Sequence, residues 1–204
     1  MSTPLEDLLL SHVARGTIPG AVAVLGAPDG EPEVVAVGSA SVDGSVMRSD
    51  AIMRIQSMTK AITATSALRL VAAGRVRLDD SLEKWLPELG ERRVLVSPTA
   101  ALSATVPMAR PITLRHLLTN TSGYGMIPVD SPLQRAMAEN GTEAGADPVT
   151  LGADEWLARL TELPLAFQPG EGWRYHHSFS ILGILISRIT GCPAGDHLRG
   201  KITD

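Results

Sequence analysis

Ile52-Met53-Arg54-Ile55-Gln56-Ser57-Met58-Thr59-Lys60 runs without a break into an apolar segment that ends at Gly74. Apolar residues alternate over 52–55, which predicts a short strand. They then recur at helical spacing as far as Gly74, a residue suited to the left-handed turn that closes a helix. Ser57 falls at the junction, where free backbone N–H groups and the helix dipole favour negative charge. Lys60 lies one turn later on the same face, within reach of the Ser57 oxygen. A hydroxyl is a weak nucleophile until a neighbour takes its proton. A lysine can do so where apolar surroundings or nearby positive charge lower its pKa. Ser57 and Lys60 therefore read as a nucleophile and its base, although a serine that opens a helix can also serve simply as its cap.

The chain carries its own control. Ser81-Leu82-Glu83-Lys84 has the same spacing but follows Asp79-Asp80 on a charged stretch. There Ser81 or Asp80 is expected to cap a helix and Lys84 to be solvated.

Composition narrows the class. The 204 residues suffice to bury a core, and with aromatics at 3% that core must be built from Leu, Val, Ile, Ala and Met. A net charge of −4, with both signs scattered, argues against nucleic acid as a partner. Cys192 stands alone, which excludes an internal disulfide and a cysteine-rich metal site. His12 and His197 have no partners at ligand spacing, and His176 and His177 point in different directions, so neither a metal nor a cofactor is expected. The N-terminus is acidic, without a signal-peptide pattern, and no apolar run reaches membrane-spanning length. A cytoplasmic protein without a membrane contact is the expectation.

In chain order, Pro4 to Val13 predicts an amphipathic helix ending near Gly16. Residues 21–25 and 33–38 predict a hairpin about Asp29-Gly30, both strands so apolar that each face needs a cover. A short helix should run to Trp85 and stop at Pro87, and residues 91–111 read as irregular. Thr113 should cap a helix containing His116, a histidine expected to be packed. Further helices are expected near Pro132 to Glu139, from Trp156 to Pro164, and from Phe179 to Gly191. Helices dominate after residue 57. The few strands leave an open edge, which a second copy of the chain could cover as a homo-oligomer.

Five motifs now fall in order: Pro19-Gly20-Ala21-Val22-Ala23; Ser57-Met58-Thr59-Lys60; Leu78-Asp79-Asp80; the run from Ile112 to Gly123; and Phe167-x-Pro169-Gly170-x-x-Trp173-x-Tyr175. Together they resemble the serine hydrolases of the class C beta-lactamase type, which include beta-lactamases, D-alanyl-D-alanine carboxypeptidases and family VIII carboxylesterases. The resemblance implies an α+β, beta-lactamase/transpeptidase-like fold: a helical subdomain plus an incomplete antiparallel sheet. On that reading 1–204 is a partial serine hydrolase domain, with the N-terminal helix and strands in 1–56 and a mainly helical region in 57–204. Ser57 would be acylated, Lys60 would shuttle its proton, and Tyr175 would act as general base and then protonate the leaving group. A phenolate near neutral pH would need a neighbouring ammonium such as Lys60. An aromatic in the loop after Gly123 would line the cleft, which points to Tyr124, with a packing role equally open to it.

Two departures stand out. Lactamases and carboxypeptidases read Tyr-x-Asn where this chain has Tyr175-His176-His177. His177 could offer a substrate one hydrogen bond but cannot copy both sides of an amide, which favours small esters over beta-lactams; a helix-cap role without catalytic duty is equally open to it. In the family the chain also continues, supplying a Lys-Thr-Gly-like strand and the second of two oxyanion N–H donors, the first being that of Ser57. Losing one such donor costs on the order of 10²–10³ in rate, so 204 residues alone are expected to be weakly active or inactive. The expectation is a serine hydrolase of small carboxylic esters, the alternatives being beta-lactamase or D-alanyl-D-alanine carboxypeptidase activity, or an inactive scaffold or interaction protein.

Overall fold

The computed structural model describes residues 2–26, 28–145 and 149–200. The chain folds as two compact units, Met1–Ile55 and Gln56–Asp204.

In the first unit, α1 (Pro4–Ala14) starts where a helix should. Thr3 accepts from the Glu6 N–H at 3.2 Å, and Pro4, whose fixed φ suits the first turn, follows it. Strands β1 (Gly20–Leu25) and β2 (Glu33–Gly38) form an antiparallel hairpin with Ala23 opposite Val35. Helix α1 packs on β2, and Val35 and Val37, two residues apart and so on one face, are buried. The expected cover on both faces is only partly present within this unit, since Val24, Leu25 and Val34 are exposed. Residues 51–55 form no strand. Alternation makes a strand possible, but only a paired partner makes one form.

The second unit is mainly helical. Helix α2 (Thr59–Ala72) closes as Gly74 predicts: Gly74, at φ 67°, donates to the Val71 carbonyl and Arg75 to the Leu70 carbonyl, a paired left-handed cap. Beyond it, 3₁₀ turns at Leu82–Lys84 and Pro87–Leu89 replace the expected α-helix. Ser81 caps the first of them through the Glu83 N–H, while Asp80 accepts from Arg77. The stretch expected to be irregular holds a small antiparallel ladder, β3 (Arg93–Leu95) with β4 (Thr105–Pro107). Three-residue strands among prolines lack the length over which alternation can be recognised.

Thr113 caps α3 (Leu114–Leu118) in a reciprocal box: it accepts from the His116 N–H, and His116 Nδ1 accepts from the Thr113 N–H at 3.2 Å. His116 is therefore a structural residue. Helices α4 (Pro132–Glu139), α5 (Ala153–Thr161), α6 (His177–Thr190) and α7 (Ala194–Leu198) complete the unit. Helix α6 is its axis: α2, α3 and α5 pack around it, and Ile181, Leu182 and Leu185 sit at the centre with Leu82, Leu114 and Leu157. Arg188 ties it down with a two-pronged hydrogen bond to Glu88 at 2.6 and 2.8 Å. No helix among the described residues is long and apolar enough to cross a membrane.

Candidate active site

Ser57 sits in the middle of a 3₁₀ turn, Gln56–Met58, that leads directly into α2. Gln56 before it has φ 47°, a left-handed conformation uncommon outside glycine, and this bends the chain sharply into the serine. The side chain of Ser57 is exposed and is not spent on capping: the N-cap position of α2 is Met58, with no side-chain cap bond. Instead, Lys60 Nζ donates to Ser57 Oγ at 3.1 Å.

The same amine lies 4.6 Å from the centre of the Tyr175 ring. Tyr175 comes from more than a hundred residues further on, and three features aim it. Arg174 donates its N–H to the Asn120 carbonyl, and Met126 donates to the carbonyl of Tyr175, both at 2.9 Å, so the strand-like segment is held from both sides. Gly125 allows the close approach, because a Cβ there would fall 2.2 Å from the Arg174 Cβ. His176 then turns the backbone at φ 93°, ψ −74°, a strained geometry of the tight three-residue kind that costs roughly 1–3 kcal/mol. The turn leaves Tyr175 facing Ser57 and Lys60 and starts α6. Interaction with the Ser57 hydroxyl pulls the Tyr175 phenol below its ordinary pKa; partial burial opposes this, and the Lys60 ammonium adds to the lowering. The structure thus gathers a hydroxyl, an amine and an acidified phenol at one place.

Two further side chains named for this site lie elsewhere. His177 was expected to meet substrate, but it is fully buried at 0% exposure on the first turn of α6. Its Nε2–H donates to the Thr142 carbonyl at 2.7 Å and its ring stacks on Trp156. Burial pushes its pKa down to about 4, so it is a neutral core residue. The reversal at His176 is what sends it inward. Tyr124 was expected to line the cleft, but it is 3% exposed and part of the main hydrophobic core, with burial driving its pKa upward.

Beside Tyr175 lies a residue to which the motif gave no role, Trp173. It is 58% exposed and stacks on Tyr175, centroid to centroid 6.1 Å at 23°. Its place two residues before Tyr175 was the available signal, since alternate side chains of an extended segment share a side. Among the described residues no group of three or more His, Cys, Asp or Glu side chains could hold a metal ion.

Known proteins are similar to this chain. Esterase EstB from Burkholderia gladioli is 37% identical over 150 residues, covering 74% of this chain and 35% of its own length. Lovastatin esterase from Penicillium rubens is 32% identical over 156 residues, 76% of this chain and 38% of its own. Among solved structures, EstCE1, described as a hydrolase with promiscuous acyltransferase activity, superposes with a TM-score of 0.76 at 25% identity, covering 98% of this chain and 49% of that one. The chain spans about half the length of these relatives or less. Its α+β architecture, helix-rich with small antiparallel sheets, is the beta-lactamase/transpeptidase-like fold in incomplete form. A sequence profile of the Beta-lactamase family matches residues 5–204, and the chain belongs to that family.

Proposed function

We propose that this chain carries the reactive groups of a serine hydrolase working through an acyl-enzyme on Ser57, with small carboxylic esters as its substrates. The observation that carries the reading is the 3.1 Å bond from Lys60 Nζ to Ser57 Oγ, with the same amine beside the Tyr175 ring. In the acylation step Ser57 Oγ attacks the ester carbonyl, and its proton passes to Tyr175, whose phenolate the Lys60 ammonium stabilises. The negative carbonyl oxygen of the tetrahedral intermediate takes one of its hydrogen bonds from the backbone N–H of Ser57, in the turn that leads into α2. The bond to the alkoxy group then breaks, and Tyr175 returns the proton to the departing alcohol. Water repeats the sequence on the acyl-enzyme and releases the acid.

The preference for esters over beta-lactams or peptides rests on His177. Lactamases and carboxypeptidases carry an asparagine two residues after the tyrosine, and here the side chain at that position, His177, is in the core. The names of the two esterase relatives point the same way.

A fluorophosphonate tests the reading. Stoichiometric labelling of the protein, abolished by Ser57→Ala, supports it; absence of labelling would mean a scaffold without catalysis. Hydrolysis of p-nitrophenyl butanoate well above that of a chromogenic cephalosporin supports the ester assignment, and the reverse order would replace it with lactamase or peptidase chemistry.

A further inference from the structure

We infer that Trp173 recognises the alcohol portion of the substrate, as the apolar platform on which the leaving group rests before it departs. The inference depends on the acyl-enzyme reading above and deepens it.

The chain has three tryptophans, and two of them are placed as core chemistry dictates. Trp156 is 5% exposed, and Trp85 packs partly buried against the main cluster. Trp173 alone leaves most of its indole in water. A large amphipathic ring held at a surface is the kind of group that binding sites use. Its direction is fixed by its neighbours rather than by chance. Arg174 turns away, its guanidinium 5.8 Å from the Phe167 ring, while Trp173 and Tyr175 stack against each other. The bonds from Arg174 to Asn120 and from Met126 to Tyr175 hold this orientation.

Chemistry then decides which part of an ester meets the indole. Tyr175 hands its proton to the alcohol oxygen, so the carbon attached to that oxygen must lie within a bond or two of the phenol. The apolar surface stacked on the phenol ring is Trp173. Met58, next in chain to the nucleophile, is 66% exposed, and Met126, whose backbone N–H donates to the Tyr175 carbonyl, is 37% exposed. The matching alcohol is therefore uncharged and apolar, aromatic or extended, and a small polar alcohol gains nothing from the platform.

The test uses two ester series on the protein and its Trp173→Ala and Trp173→Phe variants. Benzyl and ethyl butanoate differ in the alcohol, with leaving groups of similar basicity; ethyl butanoate and ethyl 3-phenylpropanoate differ in the acyl group. The expected result for Trp173→Ala is a loss of about tenfold in the benzyl-to-ethyl ratio of kcat/KM, the scale of one apolar contact in a pocket. The acyl-series ratio should be unchanged, and Trp173→Phe should restore most of the loss. Equal losses in both series, or a change confined to the acyl series, would overturn the inference while leaving the acyl-enzyme intact. Failure of the parent protein to label would remove both.

Discussion

Two segments of this molecule share one spacing and almost nothing else. At Ser57 and Lys60 the hydroxyl is free of capping duty and takes a hydrogen bond from the amine one turn on. At Ser81 and Lys84 the hydroxyl caps a 3₁₀ turn, and the amine lies 4.9 Å over the ring of Trp85. The difference lies in what precedes each serine. Gln56, at positive φ, leads into a turn whose successor helix needs no side-chain cap, so Ser57 remains available. Ser81 follows an aspartate pair on a surface segment and is spent on its own backbone. Spacing thus places two groups near each other, and local backbone geometry decides whether the hydroxyl is left free for the amine.

The contrast can be broken most severely at the serines. Ser57→Ala should lower ester hydrolysis at least about 10³-fold, while Ser81→Ala should leave kcat/KM unchanged; equal losses would erase the distinction. At the amines, Lys60→Ala should cost on the order of 10²–10⁴ in kcat, as should Tyr175→Phe, with little change in either from Lys84→Ala. On the proposed mechanism both groups act on one proton, so the two losses should not add in the double variant.

A smaller effect sharpens the boundary between site and core. His177 is held neutral, its pKa about 4 in the fold against 6.5 for a free histidine. Protons therefore bind the unfolded chain more readily. Its contribution to stability is complete above about pH 6.5 and erodes as pH falls towards 4. His177→Gln, which keeps an N–H for the Thr142 carbonyl but does not titrate, should flatten the acid side of a melting-temperature profile between those limits. An unchanged profile would mean that the ring titrates normally. The smallest change expected is at the second serine, where Ser81→Ala removes a cap and should destabilise by about 1 kcal/mol in chemical denaturation.

The same contrast explains what could be read from sequence. Helix ends marked by residue chemistry were legible: Pro4, Thr113, Pro132 and Gly74 all fall at the ends of elements where their residue types require it. The pairing of Ser57 with Lys60 was also legible, because three residues of helix fix it. Features that depend on distant partners were not. The β3–β4 ladder joins two three-residue segments, and the alternating run at 52–55 forms no strand. At the tyrosine motif, position alone pointed to His177 as a substrate contact. The left-handed turn at His176 sends that ring inward, and a histidine carries no sequence mark of such a conformation. Tyr124 was misplaced for a related reason, since a polar loop can still bury its aromatic residue.

The central claim is that one hydroxyl, Ser57, becomes acylated. Acid-quenching the protein during turnover of p-nitrophenyl butanoate, followed by tryptic mapping, tests it directly. A butanoyl group on the peptide of residues 55–60, absent from Ser57→Ala, is the predicted result. The same group on the peptide containing Ser81, or its persistence in Ser57→Ala, would contradict the account.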